Sequence, residues 1–430
     1  MPTILNRISL GRAHMLVSGA MREAQRLGLP TQSITPLGGL RRFAPAVKEV
    51  ALLAVAAEAQ HADVLNGFGR LPSAAATLSR SLSHITIGSE RGAITLRVAI
   101  PEEAGAALVW HTGSRAHTSQ LQTRAERLGL TFDNGRLLNG QGERLTSETE
   151  EALYGHLALP LIPPELREGQ DEIDAAERGE LPRLVSTTDI RGDLHMHSAW
   201  SDGRDTIDQM VFASQQLGYE YVAITDHSER SLASRQLAAS DIVRQRADIE
   251  KARTRSKRIQ VLHGIEVDIM PDGSLDFDDE QLGGFDIVLA SLHDHAGHDG
   301  ARLTERYRRA IRHPLVNVIT HPANRTPGRF DGYPLDFDLL FAIAADTGTA
   351  MEIDGGPGHL DLDGALARRA AAAGVTLVID SDCHRSDGLA RQMRFGVGTA
   401  RRGWIEPRHV LNARGIDDVR AFVARKRARG

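Results

Sequence analysis

The hydrophobic and polar positions of the C-terminal half follow one recurring pattern. A short run rich in Val, Ile and Leu ends in a histidine, an aspartate or a glutamate, and a helical or loop stretch follows it. Near-continuous apolar runs that alternate with helices are typical of parallel strands buried on both faces. The segments that show this pattern are IRGDLHMH, YVAITDH, QVLHGIEVD, DIVLASLHDH, VNVITHP, TAMEIDGG and TLVIDSDCH.

These seven units predict a barrel, because closure of the sheet gathers all the strand ends at one mouth. In α/β folds, binding and catalytic sites are built at the carboxyl ends of parallel strands. Amphipathic helices are predicted between strands, for example in IDQMVFASQQLG and in LDGALARRAAAAG, where Gly374 is placed to end the helix. The pattern therefore predicts an α/β domain whose mouth is lined by polar side chains.

The N-terminal part is less regular and predicts a small α+β domain. A helical pattern runs from about Arg12 to Leu27, EVALLAVAAEA and AITLRVAI are predicted strands, SQLQTRAERLG is a predicted helix, and FDNGR is a polar turn. The stretch Ile162–Pro182, IPPELREGQDEIDAAERGELP, then divides the chain. It is rich in proline and acidic residues and has few large apolar ones, so we expect a linker or a peripheral segment there.

Composition narrows the class of protein. The chain has 430 residues, of which 41% are hydrophobic and 25% charged, as in ordinary globular proteins with two domains. It contains no apolar run that could span a membrane and no signal-peptide core, so we expect no membrane partner. The single cysteine, Cys383, argues against a disulfide framework and leads us to expect a cytoplasmic protein. The net charge of -5 gives no overall basic footprint for nucleic acid.

The polar residues at the predicted strand ends form a candidate metal site. Imidazole and carboxylate groups together suit Zn²⁺, Mn²⁺ and Fe²⁺, and the lack of thiolates argues against a structural cysteine–zinc site. On an extended strand, two residues one position apart face the same side, as we expect for the HxH and DxH pairs. The candidate ligands are His195, His197, Asp202, His227, Glu266, His293, His321, Asp382 and His384.

Nine ligands exceed the three or four that one catalytic zinc ion uses, so we expect a cluster of two or three divalent ions. Ions about 3.5–4 Å apart suit phosphoryl chemistry, because they lower the pKa of bound water and stabilise charge on phosphate oxygens. Each short motif alone is more often structural, and only their joint occurrence at successive strand ends favours a metal site. We interpret four nearby histidines and the cysteine as structural, packing or solvent-facing residues: His263, His295, His298, His313 and Cys383.

In chain order, the segments DLHMHSAWSDG, ITDHS, GIEVD, SLHDH, ITHP, EIDGGP and SDCH resemble the successive motifs of the PHP (polymerase and histidinol phosphatase) superfamily. The resemblance spans about residues 189–412, and it implies a distorted seven-stranded β/α barrel with up to three ions, commonly Mn²⁺ or Zn²⁺. The implied ligand sets are His195, His197, Glu266 and Asp382 for one ion, Glu266, His293 and His321 for the second, and Asp202, His227 and His384 for the third.

More widely, the chain resembles the bacterial and archaeal family X DNA polymerases, which carry a PHP domain at the C-terminus. TPLGGLRR and ALVWHTGSRAH resemble the polymerase palm, and FGVGTARRGWIEPRHVLN resembles the C-terminal segment. Polymerase chemistry needs three carboxylates for two Mg²⁺ ions, whereas the matching positions here are Glu49, Ala51 and Thr95. The resemblance therefore implies a degenerate, nucleotidyltransferase-like fingers and palm domain over residues 1–160, a linker over 161–188 and a PHP domain over 189–430.

The resulting hypothesis is a metal-dependent phosphoesterase that acts on DNA 3′ ends, as a 3′–5′ exonuclease or a 3′-phosphatase in DNA repair, without polymerase activity. Arg325 and Arg329, just after ITHP, are candidate catalytic residues, because guanidinium groups bind phosphate oxygens bidentately; ordinary surface arginines are the alternative. Asp354 and His359 stand where the family usually has asparagine and commonly has arginine. Two other functions stay open: a small-molecule phosphomonoesterase like the histidinol phosphatases, and a non-catalytic DNA-binding or partner-docking protein.

Overall fold

A computed structural model describes residues 7–428, and the chain divides into two units, residues 1–181 and residues 182–430. We refer to them as the first unit and the second unit. Within the described residues, no helix combines the length and the apolar character that a membrane crossing needs. The boundary falls inside the stretch that was predicted to be a linker.

The first unit is an α+β domain, as predicted. The sequence-predicted helix from Arg12 to Leu27 begins two residues earlier, and the two predicted strands fall on two neighbours in one sheet. The elements are β1 (Ile8–Ser9), α1 (Leu10–Arg26), β2 (Ser33–Pro36), α2 (Gly38–Arg41), β3 (Ala46–Val47), β4 (Ala51–Val55), α3 (His61–Phe68), β5 (Ala76–Arg80), β6 (His84–Ser89), β7 (Gly92–Ala99), α4 (Ala104–Thr112), α5 (Arg115–Arg127), β8 (Thr131–Asp133), β9 (Arg136–Leu138), α6 (Glu150–His156) and α7 (Glu172–Glu177).

The main sheet of the first unit has the strand order β2-β4-β7-β6-β5, and β4 and β7 run parallel. In their register Ala51 lies opposite Thr95. Glu49 lies just before β4, and its carboxylate is 3.6 Å from the guanidinium of Arg97 on β7. The three positions that were compared with the polymerase carboxylates are therefore close together on this sheet, and two of them have no carboxylate.

The segment predicted to be a linker packs into the first unit instead. Ile162, Arg167 and Glu172 are fully buried. Arg167 donates to Glu150 Oε1 at 2.7 Å, and Glu172 Oε1 lies 2.8 Å from His117 Nδ1. The expectation of a linker or a peripheral segment relied on the scarcity of large apolar residues, whereas residues 162–176 contribute several buried side chains to the first unit. Charged side chains are buried here, since ion pairs and hydrogen bonds offset their loss of hydration.

The second unit alternates strands and helices, and each of the predicted strand segments contains a strand. The helix predicted in LDGALARRAAAAG also forms, and Gly374 follows it with a φ of +82°. The elements are β10 (Gly192–Asp193), α8 (Ile207–Gln216), β11 (Tyr221–Ile224), α9 (Ile242–Arg255), β12 (Gln260–Asp268), α10 (Asp279–Gly283), β13 (Ile287–Ser291), α11 (Gly300–Arg312), β14 (Val318–Ile319), α12 (Phe337–Thr347), β15 (Ala350–Asp354), α13 (Gly364–Ala372), β16 (Leu377–Asp380), α14 (Leu389–Arg402) and α15 (Ile416–Arg427).

Strands β10 to β16 form one parallel sheet in chain order, and this sheet curls until its first and last strands meet. Met196 and Cys383 form a parallel bridge there, and His197 N donates to Cys383 O at 3.0 Å. The second unit is therefore a nearly closed seven-stranded parallel barrel, which confirms the predicted fold class.

Alternate residues of the strands face the interior of the barrel and the surrounding helices. On β11, Tyr221 and Ala223 belong to an interior cluster, whereas Val222 and Ile224 belong to the larger cluster that includes the helices. The interior cluster receives residues from every strand after β10 and is covered by residues of α15, namely Val419, Phe422 and Val423. Apolar side chains thus fill the amino-terminal part of the barrel, and polar ones occupy its carboxyl-terminal end.

Candidate metal centre

All nine predicted ligands lie at the carboxyl ends of the barrel strands. Because these ends meet at one rim, residues from distant parts of the chain come together there. Glu266 is the third residue from the end of β12, and the other ligands follow the ends of their strands. His195, His197 and Asp202 come after β10, His227 after β11, His293 after β13, His321 after β14, and Asp382 and His384 after β16.

Glu266 lies at the centre of the cluster and is fully buried. Its closest neighbour is His227, whose Nδ1 is 2.7 Å from Glu266 Oε2. Its two oxygens lie within 3.7 Å of the nearest nitrogens of five imidazoles, those of His195, His197, His227, His293 and His321. Glu266 is therefore close to donor atoms from several strands, and its contact with two neighbouring ions stays a prediction.

Asp382 joins the last strand to the first. Its Oδ1 lies 3.1 Å from His197 Nε2 and 3.6 Å from His195 Nε2. The expectation that Asp382 and His384 repeat the extended geometry of the HxH pair was wrong: β16 ends at Asp380, and Asp382 has a φ of +47°. The chain turns there, and both side chains reach the cluster from the turn.

Asp202 approaches the cluster from the loop after β10. Its Oδ1 lies 3.1 Å from His384 Nε2 and 3.6 Å from His227 Nε2. The ring of His197 stacks with both of these imidazoles, at a centroid distance of 4.3 Å in each case. One carboxylate therefore faces a column of imidazoles from three different strands.

The donor atoms form three groups, each of which could hold one ion. Within a group, one donor atom of every residue lies within 4.8 Å of the others. The groups share two histidines and consist of His197, Asp202, His227 and His384, of His195, His197 and Asp382, and of His227, Glu266 and His293. His321 contacts the last group through Glu266 Oε1, at 3.0 Å.

Burial and mutual contacts set the protonation of the cluster. Burial lowers the pKa of His197 to about 3, and the charges of His227 and His384 act in the same direction. Burial would raise the pKa of Glu266, but the charges and hydrogen bonds of His227 and His195 outweigh it and hold this pKa well below its usual value. The nearby carboxylates outweigh burial and raise the pKa of four other imidazoles, those of His195, His227, His321 and His384. Metal binding would therefore displace protons from these rings, because metals bind neutral imidazole and ionised carboxylate.

The donor set fits divalent cations. Asp202 Oδ1 and Glu266 Oε2 are buried, and within the described part of the chain neither accepts an aligned hydrogen bond, so their lone pairs are left for a cation. Nitrogen and oxygen donors in groups of three and four suit Mn²⁺, Zn²⁺ or Fe²⁺. The structure brings the predicted ligands together, and their assignment to particular ions stays a prediction.

Two carboxylates behind the cluster were missed by the sequence reasoning. Glu352 Oε1 lies 2.6 Å from His195 Nδ1, and Glu352 Oε2 accepts from His321 N at 2.8 Å. Asp268 lies 3.1 Å from His293 Nδ1. Metal-binding histidines commonly donate their other ring N–H to a carboxylate. The acidic residues in EIDGG and GIEVD were the available signal, but the sequence does not show which strand face they occupy.

The two predicted phosphate-binding arginines lie on the loop that begins at His321. Arg325 is largely buried, donates to Asp363 Oδ2 at 2.8 Å, and has no partner for Nε among the described residues. Arg329 is exposed, in a turn closed by backbone hydrogen bonds. Their phosphate-binding role stays a prediction.

His359 and Asp354, the two departures from the family pattern, both lie near the cluster. The ring of His359 stacks with that of His321 at 5.1 Å, and burial, with the charge of His321, lowers the pKa of His359 to about 4. Burial raises the pKa of Asp354 well above its usual value. His359 therefore brings no positive charge at neutral pH, unlike the arginine that is common in the family.

Family models match two separate parts of the chain. Residues 107–168 match the family model of the DNA polymerase beta thumb, and residues 193–321 match that of the PHP domain. The segment ALVWHTGSRAH, which was compared with the palm, lies within the thumb match.

Curated relatives match most of this chain or about half of it. "DNA polymerase/3'-5' exonuclease PolX" of Bacillus subtilis is 35% identical over 390 residues, 90% of this chain and 68% of the relative. A "Probable phosphatase" of Syntrophotalea carbinolica is 26% identical over 53% of this chain and 94% of its own length. A "Probable phosphatase" of Shewanella oneidensis is 31% identical over 45% of this chain and 75% of its own length. This chain therefore belongs to the family X DNA polymerases that carry a PHP domain.

Proposed function

We propose that this protein is a metal-dependent phosphoesterase that processes the 3′ ends of DNA, as a 3′–5′ exonuclease or a 3′-phosphatase, and that it does not extend primers. The observation that carries the proposal is the convergence of nine imidazole and carboxylate side chains at one barrel rim, eight of them in three donor groups and the ninth, His321, beside Glu266. The name of the Bacillus relative, which includes a 3′–5′ exonuclease, supports DNA as the substrate.

The residues of the rim have different roles in the proposed hydrolysis of a phosphoester. Divalent ions, when bound, lower the pKa of water and stabilise charge on phosphate oxygens. Glu266, Asp202 and Asp382 supply the negative charge and the oxygen donors that retain such ions. Glu352 orients His195 through its Nδ1 and so directs Nε2 to the cluster. Arg325, whose Nε has no hydrogen-bond partner in the described part of the chain, offers donors to a phosphate oxygen.

The sheet of the first unit supports the absence of polymerase activity. Ala51 and Thr95 are opposite each other on β4 and β7, and Thr95 Oγ1 lies 3.0 Å from Thr86 Oγ1. The carboxylate of Glu49 is beside the guanidinium of Arg97. A single carboxylate that is paired with an arginine does not provide the ligands that two Mg²⁺ ions need.

The proposal is tested by giving the purified protein Mn²⁺ with a 3′-labelled oligonucleotide, with bis(4-nitrophenyl) phosphate, and with a primer–template and nucleotides. We expect the wild-type protein to process the 3′ end and to cleave the small diester without extending the primer. The His195→Ala, His197→Ala double variant should lose at least about 100-fold in rate, since both rings belong to the donor groups. His313→Ala, a histidine beside Asp279, is the matched control. Equal rates for the wild type and the double variant on every substrate would refute the proposal.

A small phosphomonoester is the second candidate substrate. The two relatives named probable phosphatases match about half of this chain, in agreement with a phosphatase built on the barrel alone. The two substrates are distinguished by the salt dependence of the rate. Hydrolysis of DNA should fall steeply with salt, because DNA binding releases counterions, whereas hydrolysis of a small monoester should change little.

A further inference from the structure

Three aromatic rings contact one another on the loops that follow β13 and β14, and we call them the aromatic patch: Phe330, Tyr333 and His295. Phe330 is 46% exposed, and its ring meets that of Tyr333 edge to face, at a centroid distance of 6.1 Å. Tyr333 in turn meets His295 at 6.3 Å. An isolated exposed phenylalanine is common on protein surfaces, but one whose ring is supported edge to face by a second aromatic ring presents its apolar face in a defined position.

The loop that carries the patch is well held. Thr326 and Phe330 exchange two backbone hydrogen bonds, at 2.8 and 2.9 Å. Tyr333 N donates to Ala323 O at 2.7 Å, and the Tyr333 hydroxyl accepts from Asn324 Nδ2 at 2.8 Å. The rings therefore occupy defined positions before any ligand arrives, which lowers the entropy cost of binding.

The patch lies on loops that also carry predicted metal ligands, and Arg329 is next to it in the chain. The loop begins at His321, one of the predicted ligands, and His295 lies two residues after His293, another of them. Arg329 is exposed next to Phe330, and in the described part of the chain no hydrogen bond or ion pair reaches its guanidinium. An aromatic surface next to an unpaired guanidinium is complementary to a nucleobase and its backbone phosphate.

We propose that Phe330, with Tyr333 and His295, stacks against a base near the 3′ end of single-stranded DNA, while Arg329 binds a backbone phosphate. The inference rests on the proposed function, because it takes DNA as the substrate of the metal centre. Stacking on an aromatic side chain does not depend on the base, so the patch would hold any 3′ terminal sequence. It would distinguish DNA from small phosphoesters, which lack a neighbouring base.

The test measures the Kd of a 5′-labelled single-stranded oligonucleotide by fluorescence anisotropy, with Mn²⁺ present and a methylphosphonate at the terminal linkage to prevent hydrolysis. Phe330→Ala should weaken binding roughly 5- to 150-fold, the range found for loss of one stacked base, and Phe330→Trp should bind at least as tightly as the wild type. Phe212→Ala is the matched control, because Phe212 is 63% exposed on α8 of the same unit. It should bind like the wild type.

An abasic nucleotide provides the second arm. Placed in turn at each of the last three positions, it should weaken wild-type binding at one position and leave Phe330→Ala unchanged there, because the same contact is already lost. The logarithm of the association constant falls linearly with the logarithm of the salt concentration, and Arg329→Gln should make this slope less steep by about 0.7, the value for one phosphate contact on a single strand. An unchanged Kd for Phe330→Ala, or fully additive effects of the abasic site, would overturn the inference.

The small diester separates this inference from the proposed function. Phe330→Ala should cleave bis(4-nitrophenyl) phosphate at the wild-type rate, since that substrate has no neighbouring base. If the wild type cleaves nothing but the binding pattern holds, the hydrolase proposal fails and the stacking inference stands. If cleavage depends on His195 and His197 but binding ignores Phe330, the stacking inference fails alone.

Discussion

Glu352 orients two of the predicted ligands from behind the metal centre. One of its oxygens lies 2.6 Å from His195 Nδ1, and the other accepts the backbone N–H of His321 at 2.8 Å. Its side chain is fully buried, so both contacts are shielded from water. A carboxylate in this position fixes the ring orientation and raises the basicity of the imidazole.

We therefore predict that Glu352→Gln lowers the affinity for Mn²⁺ roughly 10- to 100-fold, because an amide orients His195 less firmly than a carboxylate does. The measurement is the Mn²⁺ dependence of diester hydrolysis together with bound Mn²⁺ after dialysis. Excess Mn²⁺ should restore much of the rate, whereas a purely structural defect would not respond to it. Glu305→Gln, on the exposed face of α11 beside Arg308, is the control. An unchanged Mn²⁺ dependence would contradict the prediction.

Single residues differed in how well the sequence predicted them. His227 and His321 were predicted because each follows an apolar strand pattern directly, where a buried polar residue stands out. Glu352 was missed, because a glutamate inside a strand pattern can equally face solvent, and only the packed barrel shows it to be buried. The stacked ring of His359 was unpredictable for the same reason.

Among the secondary structure elements, α13 has an N-cap residue, Asp363, that also binds Arg325 of the loop after β14. Asp363 Oδ1 accepts from Leu366 N at 2.9 Å, which caps the helix, and Asp363 Oδ2 accepts from Arg325 at 2.8 Å. The side chain of Asp363 is 37% exposed, so the ion pair contributes little to stability. One side chain thus starts a helix and positions a candidate phosphate ligand.

Two substitutions of Asp363 separate these roles. Asp363→Ala should lower the free energy of unfolding by about 1 kcal/mol, since the cap is lost. Asp363→Asn should stay within about 0.5 kcal/mol of the wild type, because asparagine caps as well as aspartate. Both should raise KM for the small diester several-fold if Arg325 needs its partner for positioning. Urea unfolding and steady-state kinetics measure the two effects, and a KM that is unchanged in both variants would argue against a positioning role.

For the secondary structure elements, the periodicity of apolar residues predicted which segments form strands and helices, but it predicted the ends of these elements less well. β10 and β14 are only two residues long, although their apolar patterns run further, because the chain leaves the ladder to form the rim. The burial of side chains within residues 162–176 was missed because it depends on Glu150 and His117, whose proximity no local pattern shows.

In the barrel as a whole, one buried asparagine links the first and last strands. Asn412 Nδ2 donates to Gly192 O of β10 at 2.9 Å and to Ile379 O of β16 at 2.6 Å, and its Oδ1 accepts from Ile379 N at 3.0 Å. A single side chain thus bridges the first and last strands. The bridge between Met196 and Cys383 closes the same seam nearer the rim.

Removal of this bridge should destabilise the protein. We predict that Asn412→Ala lowers the free energy of unfolding by roughly 2–4 kcal/mol, because buried backbone groups of both strands lose their partners. Urea unfolding of the full chain measures it, with Gln216→Ala at the exposed end of α8 as the control. A loss below about 0.5 kcal/mol would show that the seam closes without Asn412.

The sequence by itself determined the alternation of strands and helices, the barrel class and the identity of the nine side chains at the rim. These features are local, because each ligand follows its own strand pattern and parallel strands must end on the same side. Only the tertiary structure decided which ligands meet, that Glu266 lies within 3.7 Å of five imidazoles, and that Glu352 and Asp268 lie behind them. The turn at Asp382 and the aromatic patch also depend on how distant segments pack, and distant packing leaves no periodic signal in the chain.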